Sequence, residues 1–119
     1  MARITVVDDS AMMRHLLSQF LEQQGHEVHA WEEGPAEDIP ARIQALDPDL
    51  LITDYLMPIC DGLTLARQAH TVKAGLPVIL LTADHDPGLE AALGSGEVSL
   101  IIHKPLHTEE LLAGLQALL

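Results

Sequence analysis

Asp8 and Asp9 follow the apolar run Ile4–Val7, and Asp54 follows Leu50–Thr53. Thr82 closes the run Pro77–Leu81, and Lys104 stands just beyond Val98–Ile102. Three carboxylates sharing one crevice repel each other and raise each other's pKa unless a cation joins them. Oxygen donors without His or Cys beside them suit Mg²⁺, which keeps several waters and takes one or two carboxylates plus a substrate phosphate. A lysine facing the same crevice is a phosphate binder. A carboxylate between metal and lysine can be the nucleophile that accepts a phosphoryl group. A threonine hydroxyl can bond to that group once it arrives. Taken singly, each residue has a plainer reading: Asp8-Asp9 as a solvated turn or helix cap, Asp54 as a loop acid, Thr82 as a strand end, Lys104 as a surface lysine. Taken together they suggest an acceptor of phosphoryl groups.

That reading requires the elements to bring the residues together. The chain alternates strand-like and helix-like segments. Ile4–Val7 reads as a strand. Ala11–Gln24 carries a helical stripe of Met12, Met13, Leu16, Leu17, Phe20 and Leu21, expected to be core, with Gly25 as a stop. Glu27–Trp31 reads as an edge strand, and Pro35–Leu46 as a weaker helix with Pro40 near its start. Leu50–Thr53 is the third strand, and Asp61 can cap a helix running to about Val72. Pro77–Leu81 is the fourth strand, Pro87–Leu93 a short helix ending at Gly94-Ser95-Gly96, and Val98–Ile102 the fifth strand. Thr108 can cap the last helix, with Glu109 and Glu110 in its positive first turn. Strands alternating with helices imply βαβ units, hence an α/β fold with a parallel sheet. All strands but the second are nearly continuous in apolar residues, as strands covered on both faces should be. In such sheets ligands sit beyond the carboxyl ends of the strands, where strand order reverses. If the strand order is 2-1-3-4-5, the first and third strands are neighbours, and Asp8, Asp9 and Asp54 would converge.

Composition narrows the partners. The chain has 119 residues, one domain's worth, and 48% hydrophobic residues, enough for a core. Its 18 acidic and 6 basic residues give a net charge of -12, which opposes a sequence-independent grip on nucleic acid or docking on anionic lipid. Apolar runs fall far short of the ~20 residues a membrane span needs. Met1–Ile4 runs directly into strand pattern, so no secretory leader is expected. The single cysteine, Cys60, suits a reducing cytosol and reads as inert. The seven histidines, His15, His26, His29, His70, His85, His103 and His107, make no metal-ligand spacing and are expected on the surface.

Four segments carry a resemblance: Val6-Val7-Asp8-Asp9-Ser10, Asp54-Tyr55-Leu56-Met57-Pro58 with Asp61-Gly62, Leu81-Thr82-Ala83, and His103-Lys104-Pro105. In order, and across essentially the whole chain, they resemble the receiver domain of two-component response regulators, chemotaxis receivers among them. The resemblance implies a single receiver domain over residues 1–119. It implies a five-stranded parallel sheet of order 2-1-3-4-5, doubly wound with five helices in the flavodoxin-like manner. Asp54 then matches the phosphorylated aspartate. Asp9 matches the direct Mg²⁺ ligand, Asp8 the acid that holds the ion largely through water, and the Leu56 carbonyl the third protein ligand. Thr82 matches the hydroxyl that moves toward the phosphoryl group, Lys104 the lysine that pairs with it, and Pro105 the proline preceded by a cis peptide bond. The implied donor is a sensor histidine kinase or phosphotransfer protein. The implied role is a cytoplasmic phosphoacceptor that catalyses only its own phosphorylation and dephosphorylation and controls an output domain or partner. The resemblance leaves room for a homodimer through the fourth-helix, fifth-strand and fifth-helix face.

Three positions depart from the family pattern, all on the output side. Ile101 stands where Tyr or Phe is usual, Gly94-Ser95-Gly96-Glu97 replaces the usual Gly-Ala, and Leu106 replaces an aromatic after the Lys-Pro pair. The switch is therefore expected to act through the loop after Thr82 and the short helix behind it. Ile101 should stay buried, since a β-branched side chain is stiff and has no polar tip. Three rival readings remain. A flavin protein of this fold needs a Ser/Thr/Gly-rich phosphate loop where Asp8-Asp9 stand. An aspartate-nucleophile phosphatase needs its two acids as D-x-D on one strand end. A receiver used only for interaction would not need the full acid set.

Overall fold

The computed structural model describes residues 1–119. The strands are β1 (Arg3–Val7), β2 (Glu27–Trp31), β3 (Leu50–Asp54), β4 (Val78–Thr82) and β5 (Leu100–His103). The helices are α1 (Ala11–Gln23), α2 (Ile39–Leu46), α3 (Gly62–His70), α4 (Pro87–Ser95) and α5 (Thr108–Leu118), with a 3-10 turn at Ala36–Asp38 ahead of α2. All strand pairs are parallel, and the sheet order is β2-β1-β3-β4-β5, as the sequence implies.

Side-chain alternation divides the core into two layers. Val7, Leu51, Val78 and Leu80 face one way and meet Ile39 and Ile43 of α2, Leu65, Ala66 and Ala69 of α3, and Leu89 and Ala92 of α4. Ile4, Val6, Leu50, Ile52, Ile79 and Leu81 face the other way and meet Leu17 and Leu21 of α1 and Leu111 and Leu115 of α5. Burying a side chain of this size contributes ~1.5–3 kcal/mol relative to exposure. That is why the central strands read as unbroken apolar runs.

Register then sets the site. Val7 pairs with Thr53, so Asp8 and Asp54 leave adjacent strands at the same level. Asp54 pairs with Leu81 and Thr82 with His103, so Thr82 and Lys104 emerge at that same edge.

Several local expectations change. With about 100° between successive helical residues, the six apolar positions of α1 spread over half the helix. Leu17 and Leu21 take the buried side, while Met12 is 72% and Leu16 52% exposed, so these two are not core. The last helix starts one residue earlier than a Thr108 cap requires. His107 occupies the cap position without a side-chain bond, and its carbonyl accepts from Glu110 and Leu111. The 3-10 turn shortens the second helix, α3 ends at His70, and β5 runs Leu100–His103 rather than from Val98. Of the Gly94-Ser95-Gly96 stretch, Gly94 and Ser95 lie within α4, and only Gly96, at φ 86°, takes the left-handed conformation that ends it.

Candidate functional site

The β1–α1 turn holds itself rigid. Ser10 Oγ accepts from the Met13 amide at 3.3 Å to cap α1, and the Ser10 amide donates to Asp8 Oδ1 at 2.9 Å. Arg14 reaches back from α1 to donate to the Asp8 carbonyl at 2.7 Å. Asp8 is 1% exposed and its Oδ2 has no hydrogen-bond partner. Burial first, and the Asp54 charge further down, push the Asp8 carboxyl above its ordinary value. Asp9 is exposed.

The end of β3 is equally fixed. Asp54 is 8% exposed, and its Oδ1 accepts from the Tyr55 amide at 3.0 Å. Asp61 caps α3 through Oδ1, which accepts from the Thr64 amide at 2.8 Å. Gly62 lies so close beneath Asp54 that an added Cβ would stand 2.5 Å from the Asp54 carbonyl oxygen and 2.6 Å from Leu80 Cδ1. Asp61 is thus the helix cap the sequence suggests, and the close approach leaves no room for a side chain at Gly62. Carboxylate oxygens of Asp8, Asp9 and Asp54 all lie within 4.8 Å of one another.

From β5, Lys104 brings Nζ to 3.1 Å from Asp54 Oδ1. The Lys104–Pro105 peptide bond is cis. Thr82, 2% exposed, turns its hydroxyl to accept from the Asp84 amide at 2.9 Å within its own loop. Leu56 follows Tyr55 in the loop after β3, with its side chain 60% exposed. Thus Asp8, Asp9, Asp54 and Lys104 form one constellation. Thr82 stands at the same sheet edge but is engaged elsewhere.

The fit to a divalent ion is chemical. The donor set is all oxygen, its charge exceeds what Lys104 neutralises, and the buried Asp8 Oδ2 is an acceptor with nothing to bind. A hard cation meets all three conditions.

A family profile for the response regulator receiver domain matches residues 4–116. The chain belongs to the response regulator receiver family. Receiver domains of this family are regulatory modules of two-component systems. Among curated relatives, the virulence transcriptional regulatory protein PhoP of Salmonella typhimurium is 35% identical over 119 residues, which is 100% of this chain and 52% of that protein. Transcriptional regulatory protein PhoP of Escherichia coli is 32% identical over 117 residues, 98% of this chain and 52% of that protein. The receiver thus spans about half the length of these relatives. Among solved structures, chemotaxis protein CheY4 of Vibrio cholerae superposes with a TM-score of 0.86 at 26% identity, covering 100% of this chain and 99% of that one. No helix of the receiver is long and apolar enough to cross a membrane.

Three features of the site were not anticipated. Arg14 secures the Asp8 carbonyl; its place one turn into the helix after Asp8-Asp9 was the available signal. Tyr55 donates its hydroxyl to Asp86 Oδ2 at 3.3 Å, and Asp86 in turn caps α4 through Oδ1 on the Gly88 amide at 2.9 Å. Burial, then the Asp86 charge, raise the Tyr55 phenol above its ordinary value. Finally, the histidines are not all scattered: His85 and His103 stack with ring centroids 4.4 Å apart and planes 15° from parallel. They lie far apart in sequence, and only the β4–β5 register joins them. Cys60 is buried, and burial followed by nearby acids raises its thiol above its ordinary value.

Proposed function

We propose that Asp54 accepts a phosphoryl group from a phosphohistidine of a sensor kinase or phosphotransfer protein, and that the modified receiver then controls an output domain or partner. The observation that carries this reading is the meeting of three carboxylates within 4.8 Å beside a lysine 3.1 Å from Asp54. A carboxylate oxygen of Asp54 forms the new O–P bond as the donor's N–P bond breaks, and the bonding pair stays on the imidazole nitrogen. Lys104, with Nζ 3.1 Å from Asp54 Oδ1, would pair with a phosphoryl oxygen. The Thr82 hydroxyl can leave the Asp84 amide to bond to another. Asp9, Asp54 and the Leu56 carbonyl would hold Mg²⁺, with Asp8 acting through water, and the ion would supply neutralisation of the charge on the transferred group. Hydrolysis at the same centre, with water attacking phosphorus, restores the Asp54 carboxylate and releases phosphate.

An open cavity of about 490 Å³ adjoins the site, and its apolar lining is a candidate docking surface for the donor protein. Met13, Leu16, Phe20 and Leu106 line it, and Lys104 lies at its edge. Exposed Met12 and Leu16 extend that apolar face. A second association, the homodimer through α4, β5 and α5, gets no electrostatic help. Those elements carry Glu90, Glu109 and Glu110 and no lysine or arginine, so an isologous contact sets acids against acids. Binding of nucleic acid by this domain is disfavoured because the six basic residues are all engaged. Arg3 pairs with Glu27, Arg14 with the Asp8 carbonyl, Arg67 with Glu97, Lys73 with Asp47, Lys104 with Asp54, and Arg42 lies over Trp31. We place the domain in the cytoplasm, where its kinase donor acts.

The test is incubation with a small-molecule phosphodonor and Mg²⁺, followed by intact-mass spectrometry. One phosphoryl adduct is expected in wild type and none in Asp54→Asn. An equal adduct in the variant would defeat the assignment.

A further inference from the structure

Tyr55 is the chain's only tyrosine and sits directly after the acceptor carboxylate. Its backbone amide donates to Asp54 Oδ1 at 3.0 Å, while its hydroxyl donates to Asp86 Oδ2 at 3.3 Å, across 31 residues of sequence. Asp86 is the cap of α4: Oδ1 holds the Gly88 amide at 2.9 Å and its carbonyl accepts from Leu89. One residue therefore touches the phosphoacceptor at its backbone and the start of α4 at its side-chain tip. The ring lies on the same apolar cluster as Ile101, and that cluster includes Leu89 and Ala92 of α4. Ile101 has no polar atom with which to hold the loop. Tyr55 has one, and it is in use.

We propose that Tyr55 is the residue that couples Asp54 to α4: its hydroxyl latches the α4 cap through Asp86, and phosphorylation of Asp54 opens that latch. The inference rests on Asp54 being the phosphoacceptor. Two physical effects open it. An added phosphoryl group carries up to two negative charges, and it faces a loop bearing Asp84 and Asp86. The Thr82 hydroxyl holds that loop by accepting from the Asp84 amide at 2.9 Å. Turning the hydroxyl toward a phosphoryl oxygen removes this restraint just two residues before Asp86. Repulsion and the lost bond displace the loop in the same direction, away from β3. The Tyr55–Asp86 contact is already long for an O–H···O bond, and Asp86 is exposed to water that can replace the phenol. It is therefore a bond that a small displacement of the loop can break. α4 itself has a single capping side chain and ends at Gly96, so release at its start frees a short element.

Protein grown with 3-fluorotyrosine reports on this latch through one fluorine, because Tyr55 is the sole tyrosine. Beryllofluoride with Mg²⁺ serves as the phosphoryl mimic, and its bound fluorines give a separate signal that registers occupancy of Asp54. With the mimic bound, the Tyr55 resonance should shift. Amide exchange across residues 84–90 should rise roughly threefold to tenfold, the range a single net hydrogen bond spans. Tyr55→Phe keeps the ring but not the donor. Its amides 86–90 should already exchange at the raised rate without mimic and show little further rise with it, while the Asp84 amide, still held by Thr82, responds and the bound-mimic signal persists. A role in packing alone would leave that response intact. Asp86→Ser keeps a capping oxygen for Gly88 but shortens the reach to Tyr55, and should reproduce the Tyr55→Phe behaviour. A bound-mimic signal with an unmoved Tyr55 resonance, or a wild-type response in Tyr55→Phe, overturns the latch and leaves the acceptor reading standing. Absence of any bound-mimic signal in wild type overturns both.

Discussion

Lys104 Nζ stands 3.1 Å from Asp54 Oδ1, joining the end of β5 to the end of β3 across the intervening β4. This pair is the only direct side-chain neutralisation that the acid cluster receives. Lys104→Ala should therefore lower the thermal stability of chelator-treated protein. The loss should be about 0.5–1 kcal/mol, because the lysine is partly exposed and solvent screens it. The stabilisation from Mg²⁺ should grow in the same variant, since the ion then relieves more repulsion. Melting curves in chelator and in saturating Mg²⁺ check both signs.

Asp8 carries the opposite cost. Burial raises its pKa above the ordinary 3.8, so its ionised form destabilises the metal-free fold at neutral pH. A raised carboxyl binds more protons folded than unfolded, so this contribution becomes more favourable as pH falls through the raised value toward 3.8. Asp8→Asn keeps an oxygen for the Ser10 amide and should melt higher than wild type in chelator at neutral pH. The gap should close on acidification through that window. A gap that widens as pH falls contradicts the assignment.

Mg²⁺ should stabilise wild type by about 2.7 kcal/mol at 100 times its dissociation constant. Asp9→Asn should lose most of that response. Wild-type melting that saturating Mg²⁺ leaves unmoved would remove the metal from the account.

Gly62→Ala should cost about 1–3 kcal/mol, the usual range for overpacking. Its Cβ would meet the Asp54 carbonyl oxygen at 2.5 Å, and backbone cannot swing aside as a flexible side chain can. Denaturant unfolding measures the loss. Phosphoryl acceptance should fall with it, because relief of the clash must move the end of β3.

The groove beside Lys104 gives a prediction that separates donors. Met12 and Leu16 are exposed, so replacing both with Ser should cost no more than about 1 kcal/mol of stability. Transfer from a phosphohistidine protein should slow roughly fivefold or more if these side chains anchor the contact. Transfer from a small-molecule donor should not change. Parallel rate measurements with the two donors decide it.

The strand-end residues were legible because parallel βαβ units deliver every carboxyl end to one edge. Asp8, Asp9, Asp54 and Lys104 needed only the strand order to meet. What stayed hidden depended on lateral geometry. Periodicity placed Met12 and Leu16 on the apolar side of α1, but it cannot say where a broad stripe is cut by the sheet beneath. Glycines at 94 and 96 looked alike, yet only the turn at Gly96 needs a positive φ. His85 and His103 meet through β4–β5 register, and Tyr55 meets Asp86 through the rotamer of one long side chain. Neither distance has a counterpart in sequence spacing.

Borohydride reduction of the phosphorylated receiver tests the central claim most directly, since it converts an aspartyl phosphate to homoserine and so marks the residue itself. After treatment with phosphodonor and Mg²⁺, peptide mass mapping should find homoserine at position 54 alone. The conversion should require Mg²⁺ and be absent when phosphodonor is left out. Conversion at Asp8 or Asp9, or an adduct that leaves position 54 as aspartate, would contradict the account.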